Sequence, residues 1–269
     1  MNRWKSWGEL PEFMKNEYTL RYYRRLSRKR GSMALKRIFD VIMSLILLVP
    51  LSPVILVLAI WIKADSKGPV FFRQERITQY GRKFKIYKFR TMVDDADKKG
   101  SLVTTEGDAR ITRVGAAIRK YRLDEIPQLF NVLAGDMTFV GTRPEVEKYV
   151  MAYTPSMMAT LLMPAGITSD ASIKYKDEEK LLKAADDVDH VYIKKVLPKK
   201  MRYNLSYLKH FSIIRDIRIC IETVLAVLKW ERMVIWNFQY LCLYTIKKSL
   251  IILRSAWTAC WRRLLFLMK

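Results

Sequence analysis

The apolar and polar positions of this 269-residue chain predict one long apolar helix followed by a mixed domain of helices and short strands. Residues Val41 to Ile62 contain no charged side chain. A helix of that length, at about 1.5 Å per residue, is long enough to cross a bilayer. Pro50 and Pro53 interrupt the run near its middle, where each proline removes a backbone hydrogen bond. The pattern therefore predicts a broken membrane helix over residues 32–67.

Basic residues flank this apolar run on both sides, with Lys36 and Arg37 before it and Lys63 and Lys67 after it. Such flanks favour the cytoplasmic side of a membrane. A re-entrant hairpin, which enters and leaves through one face, satisfies both flanks. A straight spanning helix with a kink is the alternative, because membrane helices tolerate proline.

From residue 68 to residue 232 the pattern is that of a compact cytosolic α/β domain that is mostly α. Short strands are expected at 69–77, 84–90 and 137–140, the first two around a turn at Gly81. Amphipathic helices are expected at 111–123 and 213–228, and residues 145–163 read as mostly helical. A further helix is expected from Asp124 to a stop at Gly135.

The net charge of +23 requires a polyanionic partner, and nucleic acid and the anionic cytoplasmic leaflet are the two candidates. The basic N-terminal segment, residues 1–31, directly precedes the apolar run, which favours the membrane. Histidine-based metal or triad chemistry is disfavoured, since the chain has only 2 histidines. The cysteines suit neither a disulfide framework nor a zinc site, and they indicate a reducing compartment. These cysteines are Cys220, Cys242 and Cys260.

The segment at residues 233–269 combines aromatic and basic residues and has no acidic side chain. Its basic residues fall near one helical face with apolar residues opposite, which is typical of an interfacial helix. Its longest uncharged part is too short to span a bilayer. Packing against a partner helix is the alternative.

The strongest candidate for chemistry is the adjacent pair Asp124 and Glu125. Asp124 can cap the helix that is expected to begin there, and Pro127 stands where a missing N–H costs least. Both carboxylates would then lie at the positive end of the helix dipole, which favours their ionised form. An ionised, positioned carboxylate can be a nucleophile toward phosphorus. A helix cap without chemistry is the alternative, because caps of this kind are common.

Four segments in this order resemble the bacterial sugar transferase family, the monotopic phosphoglycosyl transferases that start glycans on polyprenyl phosphate. They are Lys-Phe-Arg-Thr-Met at 88–92, Leu-Asp-Glu-Ile-Pro-Gln-Leu-Phe-Asn-Val-Leu at 123–133, Gly-Asp-Met-Thr-Phe-Val-Gly-Thr-Arg-Pro at 135–144 and Pro-Ala-Gly-Ile-Thr at 164–168. The resemblance covers Lys36 to Val227. The chain departs from the usual family pattern at Thr142, where proline is common, and at the inserted Ala165.

The resemblance implies transfer of a sugar-1-phosphate from a UDP-sugar to undecaprenyl phosphate, with release of UMP, at the bacterial inner membrane. Asp124 would form an aspartyl phosphosugar intermediate, with Glu125 as its essential neighbour, and Mg²⁺ would be held by this pair. The membrane helix would bend at Ser52 and Pro53, where the serine can hydrogen-bond a carbonyl that the proline frees. Such a reaction initiates exopolysaccharide, capsule, O-antigen or glycoprotein glycan assembly.

Basic side chains for the phosphates of the UDP-sugar are implied at several of the matched positions. Lys88 and Arg90 share one face of a predicted strand, although solvated surface charge explains that pattern equally well. The residues that the resemblance assigns to phosphate and UDP-sugar binding are Lys88, Arg90, Arg119, Arg143 and Pro144.

Two other functional classes fit parts of the sequence. A non-catalytic basic protein would bind anionic membrane or nucleic acid with strong salt dependence and without need of Asp124. A membrane-anchored scaffold for glycan assembly would lack UMP release as well. The family resemblance makes anionic inner-membrane lipids the expected partner and nucleic acid an unexpected one. The donor sugar and the oligomeric state, a homodimer included, stay open.

Overall fold

The computed structural model describes residues 3–94, 96, 108–175 and 187–226. Residues Met1–Thr223 form one compact unit and Val224–Lys269 cluster as a second. The long apolar helix and the candidate site both lie in the first unit. The predicted interfacial segment at 233–269 lies outside the described residues, as do parts of the charged stretch after residue 93.

The described elements are mostly helical, with two small sheets, as the sequence predicts. The helices are α1 (Glu17–Ser27), α2 (Arg30–Asp65), α3 (Arg113–Lys120), α4 (Gln128–Ala134), α5 (Glu147–Val150), α6 (Asp170–Lys174), α7 (Val188–Val191) and α8 (Leu197–Lys209). The strands are β1 (Phe71–Ile77), β2 (Lys83–Phe89), β3 (Met137–Val140) and β4 (Ala165–Thr168). Short 3₁₀ segments cover Glu12–Met14, Gln79–Gly81, Leu123–Glu125 and Met157–Leu162, and a π-helical turn covers Tyr192–Val196. Residues 213–226 are helical.

The two sheets are a hairpin and a parallel pair. β1 and β2 are antiparallel, with Phe71 opposite Phe89, which confirms the predicted hairpin. β3 confirms the predicted strand at 137–140 and pairs in parallel with β4. The crossover brings Gly141 and Gly166 so close that a Cβ on Gly166 would lie 2.1 Å from the Gly141 nitrogen. Glycine is therefore required where these two backbones meet.

The first part of α2 is fixed to the domain by buried polar contacts. The Lys36 Nζ atom lies 2.6 Å from Asp216 Oδ2 and donates to the Val140 carbonyl at 2.9 Å. Tyr207 donates to the other Asp216 oxygen at 2.7 Å. Asp40, one helical turn after Lys36, accepts from the Thr138 hydroxyl and the Phe139 amide. A buried ion pair costs desolvation energy, which these additional hydrogen bonds offset.

The middle of α2 leaves the domain and its last turns return to it. No side chain from residue 45 to residue 57 is buried, whereas Leu58 and Ile62 pack against Phe89 and the α3 side chains. The Ser52 hydroxyl donates to the Val49 carbonyl at 2.8 Å, which is the carbonyl that Pro53 leaves without its helical donor. This contact confirms the hydrogen bond predicted for Ser52, and α2 is helical from Arg30 through Asp65. Among the described residues, α2 is the one helix long and apolar enough to cross a membrane.

The N-terminal segment before α2 packs into the main core of the domain. Trp4 stacks on Tyr23 with ring centroids 5.4 Å apart, and Trp7 contacts the same ring edge-on. Leu10, Met14 and Leu26 are buried in the same cluster as residues of β3, α5 and α8. The chain therefore contributes to one core both before and after α2.

Replacing Lys36 by Met should destabilise the domain by about 3–5 kcal/mol, because Asp216 would keep a buried charge without its partner. Thermal or denaturant unfolding in detergent measures this loss. The double variant Lys36→Met with Asp216→Leu should recover much of it, since both charges are then absent. A Lys36→Met protein as stable as the wild type would show that the ion pair does not anchor α2.

Candidate active site

Asp124 and Glu125 lie in the short 3₁₀ turn Leu123–Glu125, between α3 and α4. The predicted helix start at Asp124 is wrong, because α4 begins only at Gln128 and has no side-chain cap. Hydrogen bonds of the i→i−3 type replace the regular helical ladder here, with Ile126 N donating to the Leu123 carbonyl at 3.2 Å and Leu129 N donating to the Ile126 carbonyl at 3.1 Å. The two carboxylates consequently stand on an irregular turn rather than in a helix cap.

Glu125 forms most of the ion pairs at this site. The Arg143 Nη2 atom lies 2.5 Å from Glu125 Oε1, the Lys88 Nζ atom lies 3.0 Å from it, and Arg122 Nη1 lies 4.0 Å away. Burial raises the pKa of Glu125, but the charges of Arg143 and Lys88 outweigh it and hold this pKa well below its usual range. Glu125 is therefore an ionised anchor for the two cations.

Asp124 has a different environment, although it is the next residue along the chain. Its side chain is mostly buried, its Oδ2 atom lies 4.0 Å from Lys88 Nζ, and its Oδ1 atom is buried without a hydrogen-bond partner. Burial raises the pKa of Asp124, and the charge of Glu125 adds to this, while Lys88 and Arg119 oppose it. A buried carboxylate oxygen without a partner is costly unless a ligand contacts it.

Lys88 reaches the pair because α4 holds strand β2 in register. The Asn131 side chain of α4 donates to the Lys85 carbonyl at 2.9 Å and accepts from the Tyr87 amide at 2.9 Å. Burial lowers the pKa of Lys88, and the charge of Glu125 opposes this shift. The Asn131 side chain thus holds the lysine in place by hydrogen-bonding two backbone groups of β2.

Arg143 stands on the loop that follows β3, and backbone contacts fix that loop. Gly141 N donates to the Thr168 carbonyl at 3.0 Å, and Gly166 N donates to the Thr142 carbonyl at 2.9 Å. The Arg76 guanidinium donates to the Pro144 carbonyl at 3.2 Å. Thr142 therefore keeps the loop anchored although it replaces the proline that is common in the family.

In the structure, the Arg90 side chain is directed to the end of α2 rather than to the carboxylate pair. This side chain donates to the Ser66 carbonyl at 2.7 Å and to the Lys67 carbonyl, at the end of α2. β2 ends at Phe89, so the alternation that would place Arg90 beside Lys88 stops one residue too early. The geometry brings Lys88, Arg119 and Arg143 toward the pair and assigns Arg90 to the end of α2.

Two residues near the site were not predicted from the sequence. Arg37 donates to the Val132 and Leu133 carbonyls at 2.5 Å and 2.8 Å, at the C-terminal end of α4. Gln128 is buried one turn after Asp124, and neither polar atom of its amide has a partner. Arg37 looks like a membrane flank in the sequence, and its partners lie too far along the chain to be inferred. For Gln128 the sequence did contain a signal, because a polar residue lies there inside an apolar helical stripe.

The carboxylate pair fits a Mg²⁺ ion that is shared with a bound substrate. Among the residues that the structure describes, no group of three or more acidic, histidine or cysteine side chains forms a metal cage. Mg²⁺ commonly uses one or two carboxylates together with substrate phosphates. The unpartnered Oδ1 atom of Asp124 is a suitable donor, and the neighbouring Glu125 carboxylate would share the ion with its partners Arg143 and Lys88.

The opposite pKa shifts predict opposite effects of two matched substitutions. Asp124→Asn should raise the melting temperature by about 2–4 °C at neutral to alkaline pH, because it removes an ionised carboxylate whose folded pKa is raised. Glu125→Gln should lower the melting temperature, since the folded pKa of Glu125 is depressed. Both differences should shrink in acid, where both carboxyls are protonated. A destabilised Asp124→Asn variant at alkaline pH would contradict the assignment.

Comparison with known proteins identifies the family of this chain. The bacterial sugar transferase family model matches residues 31–230. The chain is 36% identical over 197 residues to a UDP-N-acetylgalactosamine-undecaprenyl-phosphate N-acetylgalactosaminephosphotransferase of Aeromonas hydrophila, covering 72% of this chain and 44% of that protein. It is 35% identical over 197 residues to a UDP-glucose:undecaprenyl-phosphate glucose-1-phosphate transferase of Klebsiella pneumoniae, covering 72% and 40%.

A third relative matches over nearly its whole length. The uncharacterized sugar transferase EpsL of Bacillus subtilis is 35% identical over 199 residues, covering 74% of this chain and 90% of the relative. The chain spans less than half of the Aeromonas and Klebsiella proteins. Because the family model covers most of the chain, this protein belongs to the bacterial sugar transferase family.

Proposed function

We propose that this protein transfers a sugar-1-phosphate from a UDP-sugar to a polyprenyl phosphate in the cytoplasmic membrane and releases UMP. One observation carries the proposal. Glu125 engages Arg143 and Lys88, while Asp124 lies 4.0 Å from Lys88 and has a buried oxygen without a partner. The names of the Aeromonas and Klebsiella relatives, which specify undecaprenyl phosphate and a UDP-sugar, support this substrate class.

In the first step, Asp124 attacks the sugar-side phosphorus of the donor. A bond forms between a carboxylate oxygen and this phosphorus, the bond from this phosphorus to the bridging oxygen breaks, and UMP leaves with the bridging oxygen and that electron pair. Lys88 lies within 4.0 Å of Asp124 and 3.0 Å of Glu125, so its charge can stabilise the developing phosphoryl charge. The planar fork of Arg143 suits two phosphate oxygens.

In the second step, an oxygen of the polyprenyl phosphate attacks the phosphorus of the aspartyl phosphosugar. The new pyrophosphate bond forms as the acyl phosphate bond breaks, and Asp124 is released as a carboxylate. Covalent catalysis splits one difficult transfer into two steps. It also lets a single small site take a soluble donor first and a lipid acceptor second.

Asp124 and Glu125 would hold Mg²⁺ together with the donor pyrophosphate, and the ion would neutralise phosphate charge. Glu125 Oε1 holds both Arg143 and Lys88 in place through contacts within the protein. Arg119, in the last turn of α3, adds positive charge that acts on Asp124. These residues together provide charge for both phosphates of the donor.

We further propose that α2 re-enters the cytoplasmic leaflet and does not cross the membrane. The segment before α2 and the strands after it belong to the same compact unit, and a spanning helix would separate them. The exposed part, residues 45–57, contains Pro50 and Pro53, and Ser52 donates to the freed Val49 carbonyl. Such a contact lowers the cost of a bend in lipid.

We propose that the anionic leaflet of the membrane is the polyanionic partner of this positively charged chain. Helix α1 buries Thr19, Tyr23 and Leu26 against the domain, and its opposite side is exposed. The exposed arginines on that side are Arg21, Arg24, Arg25 and Arg28. Each basic side chain near an anionic surface contributes about 1 kcal/mol. Because α1 directly precedes the apolar helix, lipid headgroups are within its reach and nucleic acid is not required.

A UMP-release assay tests the enzymatic proposal against the scaffold and the non-catalytic binding protein. With Mg²⁺, polyprenyl phosphate and a panel of UDP-sugars, the wild type should release UMP, and Asp124→Asn should reduce the rate by several orders of magnitude. Asp170→Asn, a matched change of an aspartate that pairs with Arg215, should leave the rate near the wild-type value. Normal UMP release by a folded Asp124→Asn variant would refute the mechanism.

Thiol labelling in intact cells tests the re-entrant topology. Single cysteines at Gly8 and Ala64, both exposed, are introduced after removal of the native cysteines Cys220, Cys242 and Cys260. Both positions should resist a membrane-impermeant reagent until the cells are opened, because both flanks of α2 would lie in the cytoplasm. Labelling of one position alone from outside would establish a spanning helix.

A further inference from the structure

The loop that carries Arg143 is backed by a buried polar cluster on α8 and the π-helical turn. Tyr192 donates its hydroxyl to Glu145 Oε1 at 2.6 Å, and Lys200 Nζ donates to the same hydroxyl at 3.1 Å. Lys200 Nζ also lies 3.9 Å from Glu145 Oε1. The side chains of Glu145 and Lys200 are only 7% and 6% exposed. Buried polar groups in such a network fix one arrangement when they are satisfied.

Glu145 is placed to transmit this arrangement to Arg143. Only Pro144 separates the two residues, and its ring fixes one backbone dihedral. The backbone on the Glu145 side is held as well, because the Glu145 carbonyl accepts from the Ile77 amide at 2.9 Å. Arg76 donates to the Pro144 carbonyl at 3.2 Å, and the charge of Glu145 opposes the lowering of the Arg76 pKa by burial.

The position of the Tyr192 hydroxyl depends on an unusual backbone. Tyr192 is the first residue of the π-helical turn Tyr192–Val196, between α7 and α8. Single π-helical turns occur frequently at functional sites. The ring of Tyr192 packs on Tyr149 with centroids 4.8 Å apart, so its orientation is fixed by packing and its hydroxyl is directed to Glu145.

We propose that Tyr192 is a positioning residue for Arg143 and acts through Glu145 to set how the arginine meets the donor pyrophosphate. The inference rests on the proposed function and deepens it, since it names part of the apparatus that recognises a nucleoside diphosphate. The arginine fork must match two phosphate oxygens at once. A small displacement of the loop therefore weakens donor binding, whereas the chemistry at Asp124 retains its own contacts.

The test compares Tyr192→Phe with Tyr149→Phe. Both changes remove one hydroxyl and keep the ring, but the Tyr149 hydroxyl donates to Asp189 rather than to the loop. Tyr192→Phe should reduce kcat/KM for the UDP-sugar by about 10-fold, mainly through KM, with folding confirmed by a thermal melt. Tyr149→Phe should leave KM unchanged. Equal KM changes in both variants, or none in Tyr192→Phe, would overturn the proposal.

A double-variant cycle with Arg143→Lys separates positioning from a general structural effect. The affinity for UDP, measured by calorimetry, should fall in Tyr192→Phe, and the same change should have little further effect in the Arg143→Lys background. Equal losses in both backgrounds would contradict action through Arg143. This arm does not depend on turnover, so a wild type that binds UDP and releases no UMP would refute the transfer reaction while the cycle still decides the positioning claim.

Discussion

Two carboxylates side by side in a buried site repel each other, and this constraint shapes the whole catalytic centre. The charge is divided unequally: Glu125 is held by Arg143 and Lys88, while Asp124 keeps a raised pKa and a free oxygen. A carboxylate with few partners is a better nucleophile than one held in ion pairs, because fewer contacts must break before it reacts. The same cations can then serve the phosphates of the donor. Separation of the pair into an anchor and a nucleophile is the physical basis of the proposed chemistry.

The membrane helix is connected directly to this centre. Arg37 of α2 contacts the last carbonyls of α4, whose first turn follows the carboxylate pair, and Arg90 contacts the Ser66 carbonyl directly after α2. Cations at the C-terminal ends of helices satisfy carbonyls that have no helical donor. In the proposed re-entrant arrangement, the depth of α2 in the leaflet would set the depth of the site. In that arrangement, a lipid acceptor whose phosphate lies at the headgroup level would reach Asp124 without leaving the membrane.

Local patterns in the sequence were sufficient for the apolar helix, the hairpin and the motif residues, because each depends on neighbours in the chain. They were insufficient for the turn at Asp124, where i→i−3 hydrogen bonds delay the start of the helix. They were also insufficient for Arg90, whose partners belong to α2, and for Trp4 and the rest of the N-terminal segment, which appeared polar and basic but packs into the core. For Arg90 and the N-terminal segment, the deciding contacts are distant in sequence.

The most direct test of the central claim is intact-protein mass spectrometry after incubation with Mg²⁺ and a UDP-sugar in the absence of polyprenyl phosphate. The wild type should gain the mass of one phosphosugar, peptide mapping should place it on Asp124, and addition of the lipid acceptor should remove it. Asp124→Asn should show no adduct. Release of UMP without any adduct, or an adduct that persists in the Asp124→Asn variant, would contradict Asp124 as the nucleophile.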